Sequence, residues 1–154
     1  MELTNSTLPG NTADGHGGGI STNGLIDLNN VTITNNTADN DNDGVGDDGG
    51  IARFGTVRLR NTLLAGNTDR GGQAPDCSGE LTSEGFNLIQ DTTGCTIAGD
   101  ATGNITGQDP NLGLLADNGG HTLTHALLPG SQPVLVPVTL HATGHRLYLP
   151  MLMR

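Results

Sequence analysis

An acidic stretch at residues 39–48, Asp-Asn-Asp-Asn-Asp-Gly-Val-Gly-Asp-Asp, carries the side chains best suited to chemistry. Its five carboxylates repel one another unless a cation neutralises them, and its glycines permit a sharp turn. The pattern predicts a Ca²⁺ site with oxygen ligands from Asp39, Asp41, Asp43, the carbonyl of Val45, Asp47 and Asp48. The alternative is a solvated acidic loop that binds no ion.

The acidic stretch also resembles the calcium loops of thrombospondin type 3 repeats and dockerins. It lacks the bidentate Glu found at the twelfth position of an EF-hand loop, where Gly50 stands instead. The resemblance therefore implies a calcium loop of modest affinity.

Four histidines form two pairs with a spacing of four residues, His121 with His125 and His141 with His145. On a helix this spacing would place both imidazoles of a pair on one face, where they could bind zinc. Glycines precede the first pair and interrupt the second, which disfavours helices. Zinc binding by either pair is therefore disfavoured.

Three arginines, Arg53, Arg58 and Arg60, are the candidates for an enzymatic role. A polysaccharide lyase needs a basic group near the carbon α to a uronate, and the chain contains no lysine. Arg58 and Arg60 alternate with Val57 and Leu59, so both should point outward from a strand toward an acidic glycan. Solvated outer-face side chains are the favoured interpretation, and we expect no catalytic residues.

These residues belong to a chain built from repeats. A segment with the pattern Leu-x-Asn-x-x-(Leu/Ile)-x-(Gly/Asn)-Asn-Thr begins at Leu3 and again at Leu28 and Leu59. A Gly-Gly-Ile element ends at Ile20 and at Ile51, and this interval equals that between the second and third copies of the segment. Repeats of roughly 20 to 30 residues without a helical period predict a stacked all-β solenoid.

Each turn of the solenoid is predicted to contain three short strands, around residues 19–21, 25–28 and 31–34. Alternation of apolar and polar residues marks Ile26, Leu28, Val31 and Ile33 as inward-facing. The equivalent inward positions of the next turn are Ile51, Val57, Leu59, Thr62 and Leu64.

Asparagines mark the predicted corners of the turns. Parallel stacking places equivalent residues about 4.8 Å apart, so each corner should form a ladder of side chains. The two expected ladders are Asn11, Asn36 and Asn67, and Asn5, Asn30 and Asn61. Asparagine tolerates left-handed backbone and its amide can bond to the next turn, so we favour this structural role over sugar binding.

Both cysteines, Cys77 and Cys95, lie in residues 69–133, where the repeat pattern fades. A disulfide between them would close a loop of about 18 residues and stabilise the fold by roughly 3 kcal/mol. Free thiols are the alternative. A metal-binding pair is disfavoured because no Cys-x-x-Cys spacing or nearby histidine accompanies them.

Several motifs resemble the bacterial choice-of-anchor Q domain family. They are the triple repeat, Gly-Phe-Asn-Leu-Ile at 85–89, Asp-Pro-Asn-Leu-Gly at 109–113, Leu-Ala-Asp-Asn-Gly-Gly at 115–120 and Thr-His-Ala-Leu-Leu-Pro-Gly-Ser at 124–131. The family usually continues Ser-Pro-Ala-Ile-Asp, whereas this chain reads Ser-Gln-Pro-Val-Leu at 131–135. The resemblance implies a secreted, right-handed parallel β-helix of the pectate-lyase-like class. It also implies a structural hydrogen-bonding role for His125, which lies in the Thr-His-Ala-Leu block.

The resulting prediction is an all-β, right-handed parallel β-helix of about three regular turns in residues 1–68, with the acidic insertion at 39–48. Residues 69–133 are expected to form an irregular C-terminal cap tied by a Cys77–Cys95 disulfide. Residues 134–154 form an apolar tail, which the resemblance implies is a surface-anchoring signal. The alternative for the tail is a terminal strand that packs on the solenoid.

Composition narrows the expected function. The net charge of −10 disfavours nucleic acid as a partner. The sequence contains no run of 18 apolar residues, so it predicts no membrane-spanning segment. The N-terminus shows no signal peptide, so we expect a C-terminal piece of a longer secreted protein. We predict an extracellular or cell-surface structural and adhesion module, with surface glycans or surface proteins as partners. The alternative is a carbohydrate-active domain, either a lyase or a binding module for acidic glycans.

Overall fold

The computed structural model describes residues 1–131 and the backbone of residues 135–139 and 146–150. Its described residues form strands, turns and bends but no helix, which confirms the all-β prediction. The described part of the chain thus offers no apolar helix of membrane-spanning length. The strands are β1 (Glu2–Pro9), β2 (Ile20–Thr22), β3 (Leu25–Thr34), β4 (Thr37–Ala38), β5 (Ile51–Arg53), β6 (Thr56–Arg60), β7 (Leu63–Ala65), β8 (Thr68–Asp69), β9 (Gly79–Glu84), β10 (Leu88–Ile89), β11 (Cys95–Asp100), β12 (Ile105–Thr106), β13 (Leu112–Ala116), β14 (Thr124–Leu127), β15 (Leu135–Thr139) and β16 (Arg146–Pro150).

The repeats stack as parallel strands in register. In the main sheet Leu3 of β1 lies opposite Leu28 of β3, and Leu28 lies opposite Leu59 of β6. Two smaller parallel sheets pair β2 with β5 and β4 with β8, so the other parts of each repeat stack as well. The strands therefore pair at the same positions that align the copies of the repeat in the sequence.

The predicted inward positions form the core. Ile26, Leu28, Val31 and Ile33 are buried, and the equivalent residues of the next turn are buried with them: Ile51, Val57, Leu59, Thr62 and Leu64. The two strands predicted at 25–28 and 31–34 form one element, β3, which pairs with β6 through Asn29 and with β7 from Thr32. The apolar residues of this strand therefore face the core on both sides of a bend, and after the bend Thr32 and Thr34 are buried as well.

The bend is a left-handed backbone position that recurs in successive coils. Asn5, Asn30 and Asn61 have φ of 49°, 57° and 48°, as their predicted corner role requires. Phe86 and Gly103 occupy the equivalent place in the next two coils, with φ of 59° and 67°. Asparagine and glycine adopt this conformation at little cost, which explains their recurrence in the sequence.

The first asparagine ladder is confirmed. Asn11 donates its backbone N–H (2.8 Å) and its Nδ2 (2.9 Å) to Oδ1 of Asn36, and Asn36 donates the same two groups to Oδ1 of Asn67 at 3.0 and 2.9 Å. Asn67 donates to Oδ1 of Asp76, so a carboxylate terminates the ladder. The second ladder is shorter, because Asn30 donates to Asn5 at 3.1 Å whereas Asn61 reaches Asn29 instead.

The Gly-Gly-Ile elements lie where neighbouring coils approach most closely. The N–H groups of Gly18, Gly19 and Ile20 donate to carbonyls of the next coil at 2.9–3.2 Å. A Cβ on Gly49 would clash with the carbonyl oxygen of Thr68, and one on Gly50 would clash with that of Asp76. Glycine is required here because no side chain fits between the two backbones.

Regular stacking extends further than the sequence predicted. Strands β9 and β10 pair in parallel with β6 and β7, and β11 and β12 pair in parallel with β9 and β10. The prediction that residues after 68 are irregular is therefore wrong up to Thr106. Leu63 lies opposite Leu88 and Leu88 lies opposite Ile105, so the second of these coils is shorter than the first. The shorter coil and the replacement of the corner asparagine by Phe86 remove the repeat pattern from the sequence.

The disulfide joins these later coils. Cys77 and Cys95 are bonded, as predicted, and Cys77 is fully buried in the main core cluster. Beyond Thr106 the chain leaves the stack, and β13 and β14 form an antiparallel hairpin. In the predicted tail, β15 and β16 pair antiparallel with each other, and the remaining tail residues lie outside the described part of the chain, as do His141 and His145.

Candidate metal centre

The acidic loop connects β4 to β5 and brings three of its carboxylates together. One oxygen of each of Asp39, Asp41 and Asp43 lies within 4.8 Å of the others. Asp39 is buried, whereas Asp41 and Asp43 are exposed. Three convergent carboxylates offer the hard oxygen ligands that Ca²⁺ and Mg²⁺ prefer, so the group could hold a divalent ion.

Two of these carboxylates, Asp39 and Asp43, also accept hydrogen bonds from the backbone of the loop. Oδ1 of Asp39 accepts the N–H of Gly44 at 3.2 Å, and Oδ1 of Asp43 accepts the N–H of Val45 at 2.8 Å. Asp39 has φ of 48° and its carbonyl accepts the N–H of Asn42, which closes a tight turn. These bonds shape the short loop in which the three carboxylates converge, and they use one oxygen each of Asp39 and Asp43.

The other predicted ligands lie outside this group. Asp47 contacts His16, because the Asp47 N–H donates to Nδ1 of His16 at 3.0 Å and Oδ2 lies 3.7 Å from the same nitrogen. Val45 donates its N–H group to Asp43, and its side chain is exposed. Of the six predicted ligand residues, only Asp39, Asp41 and Asp43 therefore lie close enough together to share an ion.

Asp48 is directed into the fold and is only 2% exposed. Its Oδ2 accepts the hydroxyl of Ser78 at 2.8 Å, while its Oδ1 is buried and has no hydrogen-bond partner among the described residues. Desolvation raises the pKa of Asp48 from 3.8 to about 6, and the Ser78 bond opposes that shift. A carboxyl in this environment is a poor candidate for an exposed calcium loop.

His16 is a neighbour of the acidic loop that sequence reasoning missed. Its ring also meets Phe54 edge-on, with centroids 5.4 Å apart. His16 and Asp47 are 31 residues apart, which is the offset between the stacked coils. That offset was the signal in the sequence that could have placed them together.

The candidate lyase arginines do not form one cluster. Arg58 and Arg60 are exposed on β6, as predicted, and line a groove of about 350 Å³ together with three carboxylates from Glu2, Asp27 and Glu84. Nη1 of Arg58 lies 3.4 Å from Oδ1 of Asp27. Arg53 lies on β5, and its Nε is buried without a hydrogen-bond partner in the described part of the structure.

His125 has the structural role that was favoured for it. It is buried on β14, and its Nδ1 lies 2.8 Å from the carbonyl oxygen of Gly113 on β13. His121 is exposed in the turn that precedes β14. Because this segment is a strand and not a helix, its four-residue spacing does not present the two imidazoles as a helical zinc pair.

Comparison with known proteins gives no match to this chain, whether among protein families, among curated proteins or among solved structures. The resemblance to the choice-of-anchor Q domain family stays a prediction.

Proposed function

We propose that this chain is a non-catalytic structural and adhesion module of the right-handed parallel β-helix type, displayed outside the cell. The observation that carries the proposal is the asparagine ladder, in which equivalent side chains of three successive repeats bond directly to one another. Such a ladder serves rigidity along the stack, because the amides of Asn36 and Asn67 use both their oxygen and their nitrogen in bonds to neighbouring coils and have little capacity left for a ligand.

Two further features support an extracellular location. The Cys77–Cys95 disulfide is of the kind that persists in oxidising compartments. The net charge of −10 favours solubility and is compatible with a calcium-rich medium. Surface glycans and other surface proteins are the partners we propose for such a module.

The acidic loop would add a calcium-dependent element to this scaffold. Binding of Ca²⁺ to Asp39, Asp41 and Asp43 would neutralise three mutually repelling carboxylates and stiffen the connection between β4 and β5. Waters and main-chain carbonyls would supply the other ligands, because a Ca²⁺ ion takes six to eight oxygens. We expect a site of modest affinity, because it has only three protein carboxylates and two of them are exposed, and we expect no strong preference for Ca²⁺ over Mg²⁺.

Calorimetric titration with Ca²⁺ and with Mg²⁺ tests the loop, together with thermal melting in EDTA. We expect Ca²⁺ to raise the melting temperature and Asp41→Asn to abolish that rise. Asp47→Asn is the matched control, since Asp47 carries the same charge in the same loop but lies outside the three-carboxylate group. No heat of binding at millimolar Ca²⁺ would show that the loop is a solvated acidic segment that binds no ion. Equal loss of binding in both variants would show that binding depends on the charge of the loop and not on the three-carboxylate group.

The carbohydrate-active alternative depends on the groove that holds Arg58 and Arg60. Three carboxylates line the same groove and would repel an acidic glycan, which makes this function the less supported one. A glycan array with a lyase assay on uronate polymers separates the two proposals. If the protein cleaves a uronate polymer and Arg58→Ala abolishes that cleavage, the enzymatic proposal is favoured over the structural one.

A further inference from the structure

We propose that a groove beside the β13–β14 hairpin, here called the hairpin groove, binds a linear aliphatic diamine. The groove consists of two cavities of about 470 and 320 Å³. Both cavities are lined by Gly66, Gln90 and Asp109, so they adjoin one another. Cavities of this size are typical of sites for small molecules.

Carboxylates are the charged groups of the hairpin groove. Asp76, Asp91 and Asp109 line the larger cavity, Asp109 also lines the smaller one, and no described arginine lines either. Both oxygens of Asp76 are occupied by hydrogen bonds within the fold. Asp109 uses one oxygen for a neighbouring backbone N–H, and its other oxygen has no partner in the described structure. A groove of this charge attracts a cation with N–H groups to donate.

Asp91 is the second carboxylate available to such a cation. Hydrogen bonds from the side chain and the backbone of Thr93 lower the pKa of Asp91, so this group is charged at neutral pH. Asp91 and Asp109 together provide the larger cavity with two negative charges.

His125 provides an acceptor that the fold leaves unused. It lines the smaller cavity and is only 6% exposed. Its Nδ1 carries the ring proton, because this atom lies 2.8 Å from the carbonyl oxygen of Gly113, which can only accept. Nε2 of the neutral ring is then an acceptor, and it is buried with no partner among the described residues. Buried acceptors are nearly always paired, so a donor held in the smaller cavity would complete this one.

The smaller cavity also has apolar walls, which are formed by Ala65, Pro110, Leu112 and Leu114. Leu114 is 90% exposed, so an aliphatic chain lying against it would remove apolar surface from water. Aliphatic stems pack against such walls while their charged ends stay at polar groups. The groove therefore combines acceptors for N–H groups with a surface for methylene groups.

The spread of the acceptors distinguishes a diamine from a metal ion. Among the described residues only Asp39, Asp41 and Asp43 bring three ligand atoms within 4.8 Å of one another, and none of them lines the groove. A diamine carries two separated ammonium groups. One would lie with the carboxylates of the larger cavity, and the other would donate to Nε2 of His125 in the smaller cavity.

Titration of the ¹⁵N-labelled protein with putrescine, followed by nuclear magnetic resonance, tests the inference. We expect the amide resonances of Gly66, Gln90 and Asp109 to shift together. The His125 Nε2 resonance should move as well, because the ¹⁵N shift of a bare imidazole nitrogen changes when it accepts a hydrogen bond. n-Butylamine has the same stem with one charge and should bind about fivefold more weakly, since it lacks the second ion pair.

Two matched variants test the assignment to the groove. Asp109→Asn should weaken putrescine binding about fivefold, whereas Asp117→Asn should leave it unchanged. Both aspartates are exposed, and each accepts a backbone N–H two residues further along the chain, at 2.7 Å for Asp109 and 2.9 Å for Asp117. Only Asp109 lines the groove, so the comparison separates a site from general attraction to a negative protein.

Four results would overturn the inference. The first is the absence of shifts in the groove, and the second is an Nε2 resonance of His125 that does not move at saturation. The third is equal weakening in both variants or equal affinity for putrescine and n-butylamine, which would show general attraction of cations. The fourth is the same set of shifts with Mg²⁺, which would make a metal ion the occupant. The acidic loop lies outside the groove, so these results leave the calcium proposal and the structural proposal unaffected.

Discussion

Replacement of Asn36 by alanine removes the central rung of the asparagine ladder. The Asn36 side chain accepts two hydrogen bonds from Asn11 and donates two more, to the carbonyl of Leu8 and to Oδ1 of Asn67, all at 2.8–2.9 Å. Asn36 is fully buried, so water cannot replace the bonds on its inner side. We therefore expect Asn36→Ala to be among the most destabilising polar substitutions in this chain.

The magnitude follows from which of these bonds are buried. The two donors on Asn11 belong to an exposed residue and can bond to water after the substitution, so they contribute little. The bond to Asn67 is buried and the bond to Leu8 is partly buried, and each is worth about 1 to 1.5 kcal/mol including the partner left unsatisfied. The expected loss is about 3 kcal/mol, or roughly a 10 °C fall in melting temperature.

Urea denaturation followed by circular dichroism measures this loss, with Asn11→Ala as the matched control. Asn11 belongs to the same ladder but lies at its exposed end and donates only one side-chain bond. It should cost about 1 kcal/mol or less. Equal losses in the two variants, or a loss for Asn36→Ala no larger than that of an exposed polar residue, would refute the claim that the ladder stabilises the stack.

Three further predictions concern other parts of the fold. Burial raises the Asp48 pKa from 3.8 to about 6, so this group stabilises the metal-free protein most below pH 4. The free energy of unfolding should fall by up to about 3 kcal/mol as the pH rises through 6. Denaturation of Asp48→Asn at a series of pH values should lack that loss, and a profile unchanged by the substitution would exclude Asp48 as its source. Gly49→Ala should destabilise by several kcal/mol because its Cβ would strike the backbone of Thr68, whereas Gly24→Ala, with open space around it, should change the denaturation midpoint little. Reduction of the Cys77–Cys95 disulfide should cost roughly 3 kcal/mol in the same assay, and a midpoint unaffected by reductant would contradict a stabilising role for the disulfide.

The fold was predictable wherever the residue pattern of the repeat is kept. Leu28, Asn36 and Ile51 have equivalents in a neighbouring coil at offsets of 25 or 31 residues, and within one coil these offsets agree because each residue must lie over its equivalent. That relation fails after Asp69, where successive coils shorten and Phe86 replaces asparagine at the left-handed corner. A strand stack tolerates variable loops, and the pattern in the sequence then fades although the architecture continues.

The candidate site was predictable only in part, for a different reason. Alternation of carboxylates in a tight loop depends on local geometry, and Asp39, Asp41 and Asp43 do converge. Asp47 and Asp48 instead contact residues of neighbouring coils. Asp47 contacts His16, 31 residues away in sequence, and Asp48 contacts Ser78, 30 residues away. Contacts between coils can be found from sequence only once the stacking offset is known and is applied to the loops as well as to the strands.

Interstrand nuclear Overhauser effects test the central claim most directly, which is that the repeats lie over one another as parallel coils. The claim predicts backbone contacts in ascending order on both strands, from Ile26 with Val57 to Leu28 with Leu59 and on to Thr32 with Leu63. Contacts that ascend on β3 while they descend on β6 and β7, or the absence of contacts between these strands, would contradict it.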